Sequence, residues 1–536
     1  MSTFGLRSAS RALRSIACRT LAIAAFVVAQ PAGAQALPES PSFEIRRYEV
    51  AGNTVLPIDL IAATLAPYTG PTRSFADVQA AVAALRQAYA RAGFGAVNVS
   101  LPEQQVADGT IHLRVTEARL RSLAIEGNTH FDAANIARSV PALREGATPN
   151  TSELAQDIRL ANENPAKRIG VDLKGDASGA IDATISVQDD KPWKVGAQLD
   201  NTGTPATGRL RSGVFFQHAN IAGSDQVLTG QYITSPEHPG SVTIVAANHR
   251  IPLYGLGDSI DLFGVYSDVD SGVVGDLLNL RGRGWVAGVR YNHSFPPSAD
   301  YRHRLTFGFE NRVLDNRVGL VGGSPDLLPD VTVHPASLGY AATWTGDRQQ
   351  ADVSTTAVIN IPGGARGRAA DVAAARSGAT ADYSILRWSA SYVRALPRDW
   401  RLRVAGDGQY SPDSLISGEQ FGIGGQDSVR GFREREVSND RGVRASLELH
   451  TPDFGDRFGS GIAANALLFY DYGRVARNRA LPGEASEVSI ASVGAGMRLS
   501  IAPHYQVRAD FAHVTRGTGT RPRGDESVHF SVGVAY

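Results

Sequence analysis

The chain has 536 residues, and its 53 Lys+Arg balance 53 Asp+Glu, which excludes the net basic field of a nucleic-acid binder. The length allows more than one domain, and 56 glycines beside few methionines suit a turn-rich β protein.

At the N-terminus, Arg7, Arg11, Arg14 and Arg19 precede the apolar run Leu21 to Ala29, and the first acidic residue is Glu39. Ala32-Gly33-Ala34 then fits a small-residue cleavage site before Gln35. Residues 1–34 are predicted to be a secretory signal peptide, too short to span a bilayer. A mitochondrial presequence is also Arg-rich and acid-poor, but the compact apolar core followed by Ala-x-Ala favours export. The only cysteine, Cys18, falls inside this peptide, so the mature chain has no disulfide and no thiolate metal site. No later segment matches the apolar length of a membrane helix. An exported chain of this kind can cross a membrane only as a closed β-barrel, which satisfies every backbone group within lipid.

Residues 43–117 and 118–190 read as two similar units. FEIRRYEVAGNT opens the first and LRSLAIEGNT the second; Gly52-Asn53-Thr54 and Gly127-Asn128-Thr129 occupy matching places. In the first unit Ser74 can cap a helix with Asp77 three residues on, and Val78, Val82, Leu85 and Tyr89 follow at helical spacing. AVNVSL and TIHLRVTEA follow as strands. In the second, Asn150 or Thr151 starts a helix and AIDATISVQ is the last strand. The predicted order is β-α-α-β-β, twice, a small α+β repeat.

From residue 192 to 536 the pattern changes to segments of roughly ten residues that alternate in polarity, as transmembrane strands do. Sixteen are predicted, starting near Trp193, Arg209, Gln226, Val242, Asp258, Arg283, His303, Ala336, Gln350, Tyr383, Trp400, Gly442, Gly461, Glu487, Tyr505 and Ser527. Short connections alternate with long ones, chiefly 268–282, 314–333, 361–382, 412–441, 474–486 and 516–526. One-sided long loops mark an outer-membrane barrel with its turns in the periplasm, and an even strand number leaves both ends there. A soluble β-sandwich rarely needs so many strands. The last strand, VHFSVGVAY, places Val528, Phe530, Val532, Val534 and Tyr536 on one face.

Loop 412–441 contains Gly424-Gly425-Gln426-Asp427-Ser428-Val429-Arg430-Gly431-Phe432. The glycines permit a sharp turn and a close approach to the wall. In RASLELHTP, Leu447 and Leu449 suit lipid, so alternation turns Glu448 inward; in ALLFYDYG, Leu468 and Tyr470 suit lipid, so Asp471 turns inward. A charge facing lipid would cost about 2–4 kcal/mol. The loop is therefore expected to fold into the lumen and bring Arg430 to Glu448 and Asp471, against the default of a solvated loop arginine. His218, His249 and His293 show no ligand spacing, and neither a Gly-x-Ser-x-Gly elbow nor a His-Glu-x-x-His helix is present. No enzyme activity, cofactor or metal is expected.

SGEQFGIGGQDSVRGF, followed by RGVRASLEL, closely resembles the haemolysin-activator (haemolysin secretion/activation) family of two-partner secretion transporters, within the outer-membrane assembly barrel superfamily. LDNTGTPATGR in the first strand (Asp200, Asn201, Gly203, Gly208) and FYDYG resemble the family too. The resemblance implies two polypeptide-transport-associated (POTRA) domains, a sixteen-stranded barrel, and a lumenal arginine whose wall contact is needed for transport; Asp471 matches the wall acid best and Glu448 a second acidic position. It implies export of an unfolded exoprotein that carries an N-terminal secretion domain, with haemolysin or adhesin secretion and activation as the type of activity. Outer-membrane lipids are implied partners, as is the insertion machinery that reads the C-terminal aromatic strand (Phe530, Tyr536). Many relatives carry an N-terminal plug helix; here only QALPESPS separates the cleavage site from Phe43, so a plug helix is not expected. The C-terminal residue is Tyr rather than the more usual Phe. An assembly factor that inserts other barrels is the alternative, although it usually has more than two periplasmic domains. A passive porin would not need the two repeats.

Overall fold

The computed structural model describes residues 42–536, apart from 107, 177–178, 275–277, 297, 299 and 321–328. The expected signal peptide and most of the short segment after it lie outside the described residues.

The first N-terminal unit places helices Ile58–Leu65 and Phe75–Arg91 on a sheet in which Arg47–Ala51 runs parallel to Thr110–Thr116 and Asn98–Ser100 antiparallel to it. Ser74 and Asp77 form a reciprocal capping box that satisfies two orphan N–H groups of the longer helix. Val78, Leu85 and Tyr89 of that helix are buried with Ile45, Ile111 and Leu113, and Val82 is half-buried against them. The opening segment is not one strand. Phe43–Ile45 pairs separately with Gly70–Arg73, because the N–H groups of Arg46 and Arg47 both turn to Gly109 O, at 2.8 and 3.3 Å. This ribbon is an addition to the expected β-α-α-β-β order. The second unit keeps that order: strand Arg119–Glu126, helices Ala133–Arg138 and Thr151–Ala161, then Lys167–Gly175 and Ala180–Asp189.

The repeated Gly-Asn-Thr has one physical reason in both units. A Cβ on Gly52 would lie 2.2 Å from Val115 O, and one on Gly127 2.4 Å from Val187 O, so each turn passes too close to the neighbouring strand for a side chain. A carboxylate at the end of that strand then collects the N–H groups of the turn. Glu117 accepts from Thr54 (2.8 Å) and Val55 (3.1 Å). Asp189 accepts from Thr129 (3.0 Å), His130 (2.8 Å) and Phe131 (2.8 Å).

The rest of the chain is a closed antiparallel barrel of sixteen strands. They start at Trp193, Arg211, Gln226, Val242, Asp258, Leu278, Tyr301, Pro335, Gln349, Ser384, Arg401, Arg441, Ile462, Glu487, Tyr505 and Glu526. Of the expected long loops, one is largely strand and another begins and ends as strand. Asp258–Val274 and Leu278–Ser294 extend through most of 268–282, and Tyr301–Leu320 runs into 314–333. These extensions lie past the exposed Tyr266 and Trp285, where lipid no longer imposes alternation. The short strand Val331–Val333 adds to the side of Tyr301–Leu320 there.

Exposed aromatics form two girdles. Trp193, Trp344, Trp400, Tyr505 and Tyr536 lie at the strand ends nearest the N-terminal units; Tyr266, Trp285, Trp388, Tyr410 and Tyr470 lie roughly eight residues further along. At about 3.3 Å per residue and a tilt of about 40°, that is a height of about 20 Å, comparable to the ~25 Å apolar band of an outer-membrane barrel.

The barrel closes between its last and first strands over a short stretch, Gly196–Asp200 against Ser531–Ala535. Tyr536 and Val195 exchange backbone bonds at the lower end. At the upper end the Asn201 carboxamide substitutes for a strand residue, donating to Val528 O (2.7 Å) and accepting from Phe530 N (2.9 Å). Next to it, Asp200 accepts from Thr202 N (2.9 Å), and Gly203 N donates to Arg209 O (3.0 Å).

Candidate functional site: a loop arginine docked on the barrel wall

The chain leaves the wall after Tyr410, turns inward and forms a small hairpin, Phe421–Ile423 against Val437–Asn439, whose tip carries Arg430. Gly424, Gly425 and Gly431 all have φ near +100° (103°, 116° and 96°). A Cβ on Gly425 would collide with the Glu434 carboxylate at 2.2 Å, and one on Gly431 would touch the Ala512 Cβ at 3.3 Å. The glycines therefore serve both the turn and the approach to the wall. Val429 and Phe432, on either side of the Arg430-Gly431 pair, are buried against Ile423, Val475, Ile490 and Val514, so the tip is seated by apolar packing as well as charge.

Arg430 is 2% exposed and Asp471 is fully buried. Nε donates to Asp471 Oδ2 at 2.7 Å and Nη2 to Oδ1 at 2.8 Å, the bidentate fork for which a planar guanidinium is suited. The backbone N–H of Arg430 adds a third bond to Oδ2 (3.1 Å), and Ser446 Oγ donates to Oδ1 (2.7 Å). Nη1 lies 2.9 Å from Glu448 Oε1 but outside hydrogen-bond geometry, so Glu448 contributes an ion pair without a directed bond. The guanidinium carbon stands 3.5 Å over the Phe469 ring, which supplies a cation–π face. Alternation works as expected: Leu447, Leu468 and Tyr470 face outward while Glu448, Phe469 and Asp471 face the lumen.

Two residues of the site were not anticipated. Asp510 Oδ1 lies 3.6 Å from Arg430 Nη1, and the same carboxylate pairs with Arg498 (2.9 Å) and Arg508 (2.9 Å). His529 Nε2 accepts the N–H of Gly431 at 2.9 Å. Both stand next to outward-facing apolar residues, Phe511 and Val528, so strand alternation could have placed them in the lumen.

The loop is also tied across the lumen. Glu419 pairs with Arg312 (2.7 Å) on Tyr301–Leu320 and with Arg387 (3.3 Å) on Ser384–Ala395, the strand beside the one the loop leaves. Asp440 accepts from Leu415 N (2.8 Å) and Asn478 N (2.7 Å) and binds Arg376, whose Nη2 is 3.0 Å from Oδ2. Arg376 follows a short helix, Ala369–Ala375, in the loop 361–382; Val372 and Tyr383 pack there with Leu415 and Ile416. The arginine loop is thus one side of an apolar cap at the end of the barrel remote from the N-terminal units. Of the other expected site residues, Asp200, Asn201 and Gly203 lie at the barrel seam, as do Phe530 and Tyr536; Asn201, Gly203 and Phe530 border a cavity that Phe432, Arg433 and Glu434 of the arginine loop also line. Among the described residues no cluster of side chains is arranged to hold a metal ion.

Residues 332–499 match the family model described as haemolysin secretion/activation protein ShlB/FhaC/HecB, and residues 43–118 match the ShlB-type POTRA domain. The chain is 24% identical over 429 residues to the outer membrane transporter CdiB of Escherichia coli, covering 77% of this chain and 69% of that protein. It is 22% identical over 489 residues to the heme/hemopexin transporter protein HuxB of Haemophilus influenzae, covering 85% and 80%. The solved structure of CdiB from Escherichia coli superposes with a TM-score of 0.74 at 20% identity over 95% of this chain and 93% of that one. BamA from Haemophilus ducreyi lacking POTRA domains 1–3 reaches 0.50 at 15% identity, over 92% and 100%.

Proposed function

We propose that this chain, which belongs to the haemolysin secretion/activation family, is an outer-membrane transporter that carries an unfolded partner protein from the periplasm to the cell surface. Its two N-terminal units are periplasmic POTRA domains. The periplasm holds no ATP and the chain has no phosphate-binding loop, so transport draws on client binding and on folding of the client outside. An extended client segment can add to a free sheet edge, Arg47–Ala51 or Asn98–Ser100 in the first unit, Arg119–Glu126 or Lys167–Gly175 in the second. Main-chain hydrogen bonds then give affinity with little demand on client sequence. We read the chain as a transporter and not an enzyme. Assembly of other barrels is the weaker reading, because the fold is nearer to CdiB than to BamA and two such units are found among the described residues.

The observation that carries the mechanism is the Arg430–Asp471 fork. It holds the loop inside the pore, and the loop must shift for a polypeptide to pass. Removing one partner of a buried pair leaves the other uncompensated at about 3–5 kcal/mol, enough to undock the loop. Arg430→Ala is expected to cut secretion strongly while the barrel stays folded, Asp471→Ala to do the same, and Glu448→Ala to do less, since Glu448 makes no directed bond. The Arg430→Ala/Asp471→Ala double variant should be little worse than either single one, because coupled partners are non-additive. Arg430→Lys should rescue only in part, since an ammonium cannot form the fork. Client secreted per folded transporter is the measurement, with heat-modifiable gel mobility reporting barrel folding. Full secretion by Arg430→Ala would remove the loop from the mechanism.

A further inference from the structure

The inward face of the barrel is charged unevenly along its axis. At the end nearest the N-terminal units, four exposed cations have no ion pair among the described residues: Lys194 on the first strand, Arg302 and Arg304 on the seventh, Arg401 on the eleventh. Strand alternation turns all four into the lumen, because Trp193 and Val195, Phe307 and Phe309, and Trp400 and Val404 are exposed on the outward face. Cross-strand partners agree. Lys194 stands opposite Gln217, whose carboxamide donates to Thr229 Oγ1 at 3.2 Å, and Arg401 stands opposite the buried His450. Further cations at this level are paired. Arg250 meets Glu163 of the second POTRA unit and lies 4.0 Å from Asp261; Arg403 lies 3.3 Å from Glu448 and Arg290 3.0 Å from Glu310. Arg498 and Arg508 share the single carboxylate of Asp510. Among the described residues, Asp352 is the one inward acid of this level without a cation, and it accepts from Thr343 (2.8 Å) and Gln350 (2.9 Å) instead. In the turns beneath, Asp347 adjoins Arg348, Asp399 adjoins Arg398 and Asp456 adjoins Arg457, which leaves Asp300 and Asp453 against the four unpaired cations. The chain as a whole is neutral, so this excess is a matter of placement and not of composition.

We propose that this cationic ring receives an acidic stretch of extended polypeptide at the periplasmic mouth of the pore. A ring of one sign inside a low-dielectric wall focuses the field and draws in the opposite charge. The cations are spread around the circumference, on the first, fourth, sixth, seventh, eleventh, fourteenth and fifteenth strands, so one small anion cannot meet them together. An extended segment with several carboxylates can. Two lumenal cavities give it room, one of about 420 Å³ beside Arg250, Arg290 and Arg304 and one of about 400 Å³ beside Arg498 and Arg508. The ring lies directly above the second POTRA unit, whose Glu163 already reaches Arg250. It also touches the docked loop from below: Arg508 binds Asp427 and donates to Gln426 O at 2.6 Å. An acidic segment on the ring therefore competes with Asp427 for Arg508, beside the fork that holds Arg430. The proposal deepens the transport reading and rests on it for the nature of the partner.

The test is fluorescence anisotropy of a labelled, unstructured Glu/Ser peptide titrated with the full-length protein in detergent. The acidic peptide should bind and be released as ionic strength rises, whereas Gly/Ser and Lys/Ser peptides of the same length should not bind. Arg302→Ser/Arg304→Ser/Arg401→Ser should weaken binding about tenfold or more, the lower end of what such focusing supplies. These arginines are exposed and unpaired, so the triple variant should keep its heat-modifiable mobility. Arg304→Ser alone should weaken binding about twofold, and it serves should the triple variant fail to fold. Arg302→Lys/Arg304→Lys/Arg401→Lys should bind like the unaltered protein, because the ring acts by charge. Arg441→Ser, on the outward face at the far end of the barrel, should change nothing. Free glutamate at the same carboxylate concentration should not displace the peptide. Binding that ignores peptide charge, or that survives the serine substitutions, would overturn the proposal, as would its loss in the lysine variant. Displacement by free glutamate would reduce the ring to a small-anion site and overturn the polypeptide claim. Because no secretion is measured, a failure here leaves the Arg430 experiment standing, and a failure there leaves this one.

Discussion

The two POTRA units share a fold but differ in how they are held. The first keeps its core to itself: every residue of its apolar cluster comes from Phe43 to Val115. Its link to the second unit is polar. Gly93 O accepts from Thr151 N and Oγ1, both at 2.9 Å, and Ala92 O accepts from Asn150 Nδ2 at 3.2 Å. The end of one helix thus meets the start of another, so orphan carbonyls find orphan N–H groups and the two macrodipoles run head to tail. The second unit has no such independence. Its core takes in Ala219 and Val227 of the barrel, with Tyr254 packed against it. Beside that core Lys167 is fully buried against Asp225, 2.5 Å away and also bonded by Tyr254 at 2.7 Å, while Asn135 takes a second bond from Lys167 at 3.0 Å. Burial pushes the Lys167 ammonium below the ordinary lysine range, and Asp225 opposes that shift. Apolar packing and a buried charge make the second unit a fixed mouthpiece of the pore. The first is joined through a few hydrogen bonds, and it is expected to move more freely than the second.

On the transport reading, we propose that the first unit captures the client and the second aligns it. Deleting residues 43–117 is expected to abolish secretion and leave the barrel and the second unit folded, since among the described residues the two apolar clusters share no member. Heat-modifiable mobility and protease resistance of residues 118–190 check the folding, and secreted client checks the function. Normal secretion by the deletion would place capture elsewhere.

A smaller effect is expected at Lys167. Lys167→Met leaves Asp225 buried without its cation, at a cost of about 3–5 kcal/mol to the docking of the second unit. Lys167→Met/Asp225→Leu should recover most of that loss, because a well-packed apolar pair often replaces a buried ion pair at little cost. Limited proteolysis between residues 190 and 226 measures the docking. A single variant as resistant as the unaltered protein would mean that the apolar contacts alone fix the unit.

How far the sequence revealed this follows from what disciplines each part. Lipid forces strict alternation, so strand starts such as Gln226, Val242, Asp258, Glu487 and Tyr505 were read at the observed residue. The same rule turned Glu448 and Asp471 inward and brought Arg430 to them. Past the outer aromatics, in Val269–Val274 or in the outer part of Tyr301–Leu320, lipid imposes no alternation, and the sequence reads as loop where the chain is strand. Asp510 and His529 obeyed the alternation but had no sequence partner to nominate them. The Lys167–Asp225 pair joins residues from two domains with no periodicity between them, and only the folded chain brings them together.

The mildest test concerns the junction of the two units. Asn150 has two tasks that a single substitution can separate. Its Oδ1 caps the helix Thr151–Ala161 by accepting from Ser152 N (3.0 Å) and Glu153 N (3.2 Å), while its Nδ2 donates to Ala92 O across the junction. Asn150→Ala loses both, and the lost cap alone costs about 1 kcal/mol of stability in the second unit. Asn150→Asp keeps a good cap, and its charge suits the helix N-terminus. It cannot donate, however, and sets a carboxylate against a carbonyl oxygen. The aspartate variant is therefore expected to unfold at the same temperature as the unaltered protein but to show a wider spread of distances between spin labels at positions 87 and 174, one on each POTRA unit. The alanine variant should show the wider spread together with a lower unfolding temperature. Unchanged distances in both variants would mean that the bonds from Thr151 to Gly93 hold the junction without help, and the first unit would be no freer than the second.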